Sequence, residues 1–115
     1  MPSIFVRYSE NRFRATGLRA IYEALARKVA VTADPTFGLG EIEYYAYANG
    51  LYSRASILSI EIETMAKPGR IERMNDQVES WTQLVREIRE VALLKLPAGH
   101  ALIWIKPVDP RGRHV

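Results

Sequence analysis

The chain has 115 residues, 48% hydrophobic and 25% charged, which is the balance of one globular domain and excludes a disordered chain. It has no cysteine, which excludes disulfide scaffolds, cysteine-ligated zinc, iron–sulfur clusters and thiol nucleophiles, and its two histidines, His100 and His114, are too few for a histidine-rich metal site. Sixteen Lys and Arg against thirteen Asp and Glu leave a formal charge of +3, which suits nucleic acid and small anions equally.

Residues 3–9 are rich in strand formers and predict a first strand. Leu18, Ile21, Tyr22, Leu25 and Val29 then recur at helical spacing, with Arg19, Glu23 and Arg27 on the other side. This predicts a helix over 16–31 with Thr16 as its N-cap, ended by Asp34-Pro35. A second strand is predicted over 41–48, a turn at Asn49-Gly50, and a third strand over 56–64, where Ile60, Ile62 and Thr64 alternate with Glu61 and Glu63. After Lys67-Pro68-Gly69-Arg70, the residues Ile71, Met74, Val78, Trp81, Val85, Ile88 and Ala92 predict a long helix over 71–94. A buried strand follows at 101–105.

No apolar run approaches the ~20 residues that span a bilayer, and the first residues lack a basic stretch followed by a long apolar one. A cytoplasmic protein is the expectation. The order is β-α-β twice over, the two halves offset by 53 residues at Ser3-Ile4 and Ser56-Ile57. The fold class expected is α/β, an α+β two-layer sandwich with two helices on one face of a four-stranded sheet. It forms a single domain over 1–115, with 107–115 as an arm.

With so few side-chain bases, Pro2 stands out. Proline after the initiator methionine is a favourable context for methionine removal, which would leave Pro2 as a terminal secondary amine. An ordinary α-amino group titrates at about 7.7–8.0. Burial and nearby cations both lower that value, giving a neutral base at pH 7 suited to moving a proton next to a carbonyl.

A proline at position 2 opening a strand, a duplicated β-α-β unit across residues 2–107, and a Gly-Arg pair just before the second long helix together resemble the tautomerase superfamily. Its members include 4-oxalocrotonate tautomerase, 5-carboxymethyl-2-hydroxymuconate isomerase, macrophage migration inhibitory factor and cis-3-chloroacrylic acid dehalogenase. The resemblance implies that Pro2, freed of Met1, is the general base. In the dehalogenase-like members the same turn carries two arginines that hold the substrate carboxylate. Arg70 matches the second and Lys67 stands where the first would be, so the resemblance implies a catalytic Arg70 and a substrate-binding Lys67. Ile103-Trp104-Ile105 is similar to the Ile-Trp-Val of the family's last strand, which implies pocket roles for Trp104 and for Lys106 after it. It further implies a small anionic carbonyl or 2-hydroxy-dienoate substrate, no organic cofactor or metal, and a homotrimer with sites near subunit boundaries.

The chain also departs from the family pattern. Ile71 stands where members place Ser or Thr. No histidine lies near Val29, where the dehalogenases use one, and the short tail has no match to their water-activating acid. Dehalogenase and hydratase chemistry are therefore not expected. The basic residue that the muconate isomerases place after the first helix meets Glu41, Ile42 or Glu43 here, against their diacid substrate.

Two other readings stand beside this one. The first is a non-catalytic oligomeric binding member of the same fold, because a retained Met1 would make the Pro2 nitrogen a tertiary amide without basicity. The second is a ferredoxin-like RNA-binding domain. Such domains place stacking aromatics on the first and third strands, and the third strand here has none and carries Glu61 and Glu63, so nucleic acid is not the expected partner. Among single residues, Arg7 in an apolar strand should pair with Glu61 or Glu63. Trp81 should be core, Tyr44, Tyr45, Tyr47 and Tyr52 should pack between subunits, and His100 should lie in a solvated loop.

Overall fold

The alternation read at the start of the chain becomes a strand, β1 (Ser3–Tyr8), whose Ile4 and Val6 are fully buried on one face. It is followed by α1 (Ala15–Ala33), β2 (Glu43–Ala48), β3 (Leu58–Met65), α2 (Arg70–Glu87) and β4 (Ala101–Val108). The computed structural model describes residues 2–8, 15–36, 42–48, 58–89 and 101–108. The strands form one sheet in the order β2-β1-β3-β4. β1 pairs with β2 in parallel and β3 with β4 in parallel, while β1 and β3 run antiparallel at the centre. Each parallel pair needs a crossover, and each crossover contains one helix. The duplicated β-α-β unit expected from the sequence is therefore the architecture observed.

The core lies between the sheet and the helices. Ile4 and Val6 of β1 and Leu58, Ile60 and Ile62 of β3 meet Ile21, Leu25 and Val29 of α1 and Met74, Trp81 and Val85 of α2. Full burial of such side chains stabilises the fold by roughly 1.5–3 kcal/mol each. Tyr44 also faces the helices. Its hydroxyl donates to the Leu18 carbonyl at 2.9 Å and its ring sits 5.0 Å from that of Tyr22. Burial, with a smaller contribution from Tyr8, pushes the Tyr44 hydroxyl up to about 12.

Several boundaries differ from the sequence reading. Thr16 lies inside α1 rather than before it. α1 runs on to Ala33, because Val29, Ala30 and Ala33 continue the buried stripe. It stops at Asp34, whose N–H still donates to Ala30 O, while its carboxylate accepts the N–H and hydroxyl of Thr36 in a local turn. α2 ends at Glu87, with Ile88 extended at φ −63°, ψ 125°; the expected continuation over 90–94 lies outside the described residues. β4 is longer than predicted and takes in Lys106, Pro107 and Val108, so the start of the proposed arm belongs to the sheet. Proline is tolerated there because β4 is an edge strand among the described residues, flanked by β3 on one side. Residues 109–115, Tyr52 and His100 lie outside the described residues. Among the described residues no helix is long and apolar enough to cross a membrane.

Candidate active site at the head of the first strand

Pro2 is buried immediately before β1, and its carbonyl accepts the N–H of Glu43 at 3.2 Å. Ser3 is paired with Glu43 on one side and Glu63 on the other. Continuing each register by one residue sets Pro2 between Ile42 and Thr64. Alternation along β1 puts Pro2 on the face of Ile4 and Val6, toward the helices. Thr64 is 1% exposed and Ile42 is 8% exposed on that same face.

Arg70, the first residue of α2, reaches this corner. It is 2% exposed. Its Nε donates to Ala33 O at 2.9 Å, an Nη lies 3.5 Å from Thr64 Oγ1, and the other Nη is 3.9 Å from an Asp34 carboxylate oxygen. Arg73, one turn on, donates to Thr32 O at 3.3 Å and Ala33 O at 3.2 Å. α1 has no basic residue in its own last turn. Two arginines from α2 supply that charge at the negative end of the α1 dipole. Arg70 therefore lies beside Thr64 and points inward.

This geometry depends on Gly69, the residue before α2, which has φ +77° in the left-handed region. A Cβ there would come within 3.1 Å of an Arg73 Nη. Lys67, two residues earlier, is exposed. Asp34 is held below the usual carboxylate range by the two hydrogen bonds from Thr36 and, to a smaller extent, by Arg70 and Lys67, against an opposing effect of burial.

The other two residues named from the sequence lie on the opposite, open face of the sheet. Lys106 is in register with Glu63, and Trp104 with Glu61. The Trp104 indole N–H donates to Glu61 Oε1 at 3.1 Å, and Lys106 Nζ lies 3.9 Å from the same oxygen. Glu61 is thereby buried beside two donors, an arrangement alternation alone did not reveal. Glu61, one of the two partners expected for Arg7, is thus bonded to Trp104 and Lys106 instead. The structure thus brings Pro2, Thr64 and Arg70 together on the helix side. It sets Glu43, Ser3, Glu63 and Lys106 in one row across the open side, one residue from Pro2. A cavity of about 90 Å³ at this end is lined by Ser3, Glu63, Thr64, Met65 and Val108.

Thr64 was the residue missed. Its signal was present, since it continues the alternation of Ile60 and Ile62 onto the buried face. A larger, open groove of about 650 Å³ runs between the two helices beside Val31, Trp81 and Leu84. It includes none of Pro2, Lys67, Arg70, Trp104 and Lys106, the site residues named from the sequence.

No protein-family model matches the chain, and no curated protein matches its sequence. Solved structures do match its fold. One is a member of the cis-3-chloroacrylic acid dehalogenase family, with a TM-score of 0.69 at 14% identity, over 93% of this chain and 75% of that one. A fused 4-OT wild-type asymmetric trimer has a TM-score of 0.66 at 7% identity, over 98% of this chain and 91% of that one. A domain of unknown function (DUF1904) from Sebaldella termitidis has a TM-score of 0.64 at 14% identity, with both chains covered in full. The fold is that of the tautomerase superfamily, as the sequence resemblance implied.

Proposed function

We propose that the chain is a cofactor-independent tautomerase or isomerase acting in the cytoplasm on a small carbonyl or 2-hydroxy-dienoate acid. The reading is carried by the position of Pro2: buried at the head of β1, next to Thr64, with the Arg70 guanidinium against that threonine. A terminal amine in such a corner is disfavoured as ammonium both by burial and by the neighbouring cation. Pro2 would take a proton from the carbon next to the carbonyl and return it elsewhere on the same molecule, so nothing is gained or lost overall. Arg70 acts on the amine and the enolate through its charge from behind Thr64. Lys67, exposed at the turn, and Lys106 on the open side are the cations offered to the substrate carboxylate. Trp104 would wall the pocket on that side. A preorganised donor of this kind contributes roughly 3–4 kcal/mol to a transition state.

The same reading includes a homotrimer. Tyr45, Tyr47, Leu102 and Trp104 are 39–48% exposed, and all project from the face of the sheet opposite α1 and α2. Phe5 stacks on Tyr45 there at 5.1 Å. A fused-trimer structure among the fold neighbours supports a three-copy assembly, and this exposed apolar face is the surface it would cover. The second reading is an oligomeric member of the fold without catalysis, which a retained Met1 would favour by leaving the Pro2 nitrogen a tertiary amide. An RNA-binding sheet is opposed by Glu61 and Glu63, which lie on that same open face and repel phosphate.

Intact mass combined with an assay on phenylenolpyruvate and 2-hydroxymuconate separates these readings. The enzyme reading expects loss of Met1 and ketonisation of at least one substrate, abolished by Pro2→Ala. Full activity with Met1 retained overturns the Pro2 mechanism. A processed chain inert toward both acids favours the non-catalytic member.

A further inference from the structure

The open face of the sheet carries charges as well as rings, and most of them are satisfied within the chain. Glu43 accepts the Tyr45 hydroxyl at 2.6 Å. Glu61 takes the Trp104 indole and the Lys106 ammonium. Two groups on this face have no ion pair or side-chain hydrogen bond among the described residues: Arg7 on β1 and Glu63 on β3. Both are half-buried.

They cannot pair with each other inside one chain. Arg7 is in register with Tyr47 and Ser59, whereas Glu63 is in register with Ser3, four residues away along β1. At about 3.3 Å per residue the two rows are ~13 Å apart, with the row of Phe5 and Glu61 between them. In a single copy, water solvates each. Once the apolar face around them is covered, an unpartnered guanidinium and an unpartnered carboxylate become costly.

We infer that Arg7 of one copy pairs with Glu63 of the neighbouring copy across the open sheet face. This rests on the assembly reading above and adds the residues that set its register. Contacts in a three-fold ring are heterologous, so a residue of one copy meets a different residue of the next. A cation at one end of the face and an anion at the other fit that demand. The pair would be repeated at every interface of the ring. It would fix the register of one copy's face against the next and oppose registers that bring like charges together.

The test is sedimentation velocity on four proteins: wild type, Arg7→Glu, Glu63→Arg and the double variant. Wild type is expected to sediment as a trimer. Each single reversal is expected to raise the dissociation constant by ~10-fold or more, and the double reversal to recover most of that loss. Far-UV circular dichroism of each protein checks that the protomer is folded. If a reversal variant fails to fold, Arg7→Gln and Glu63→Gln replace it. The inferred contact then requires that the two neutralisations together cost no more than the larger one alone. A wild-type trimer unmoved by either single change, or singles that weaken assembly with no recovery in the double, overturns the Arg7–Glu63 contact while leaving the trimer standing. A monomeric wild type overturns the assembly reading and the contact with it.

Discussion

Replacing Arg70 with alanine removes a guanidinium that is 2% exposed and joins three parts of the chain: the last carbonyl of α1, Asp34 beyond it, and Thr64 on β3. A hydrogen bond from a charged donor is worth roughly 1.5–3 kcal/mol. The favourable placement of that charge at a helix C-terminus adds about 0.3–1 kcal/mol. Arg73 still donates to Ala33 O, so that carbonyl is not orphaned, which limits the loss. The expected cost of Arg70→Ala is therefore about 2–4 kcal/mol. The assay is urea unfolding at fixed protomer concentration, followed by circular dichroism, with Arg70→Lys as a second variant. Lysine keeps the charge but loses the fork that spans Ala33 and Thr64, so it should recover the smaller, dipole part of the loss. A cost below about 1 kcal/mol for alanine, or full recovery with lysine, refutes the view that directed bonds of this guanidinium hold the corner beside Pro2.

The hydroxyl of Tyr44 gives a second prediction. Unfolded tyrosine ionises near pH 10, while folded Tyr44 keeps its proton up to about 12. Its contribution is complete below pH 10 and is lost as the pH rises toward 12, because the unfolded chain sheds the proton first. Allowing for water at the half-buried ring, the alkaline loss should be about 1–2 kcal/mol and should vanish in Tyr44→Phe. Thermal melts across that range measure it, and identical alkaline limbs in both proteins contradict the assignment. A third prediction concerns Gly69. Alanine at φ +77° and 3.1 Å from an Arg73 Nη should cost about 1–2 kcal/mol in the same unfolding experiment. An unchanged midpoint would mean that the turn before α2 relaxes freely.

The fold was legible because burial and periodicity coincide. Ile60, Ile62 and Thr64 alternate with Glu61 and Glu63, and the structure turns the first set to the helices and the second to the open face. Trp81 falls on the α2 stripe and is core, as expected. Boundaries were less legible: the α1 end depends on a carboxylate that closes a turn with Thr36, and the β4 end on its place at the sheet edge. At the candidate site, the sequence pointed to Arg70 but not to its inward direction. That direction follows from a deficit elsewhere, the missing cation at the end of α1, some forty residues away in the chain. Likewise Glu61, one of the two partners expected for Arg7, is held by Trp104 and Lys106 through the pairing of β3 with β4, and Glu63, the other, sits opposite Ser3, four residues along β1. Tyr44 and Tyr45 are neighbours in sequence, yet one is core and the other faces out, because a strand alternates its sides.

The arginine clamp on α1 also bears on how the two β-α-β halves depend on each other. Each half has a helix and a parallel strand pair, and so resembles a unit that could stand alone. Yet the first half ends its helix on carbonyls of Thr32 and Ala33 that receive their donors from Arg70 and Arg73 of the second. The central strand pair, β1 with β3, likewise takes one strand from each half. A polypeptide cut between β2 and β3 would leave the first piece with an open sheet edge and an uncapped helix end, both at the corner where Pro2 sits. Integrity of the proposed catalytic corner is thus a property of the joined pair, and the second half contributes to it without supplying the base.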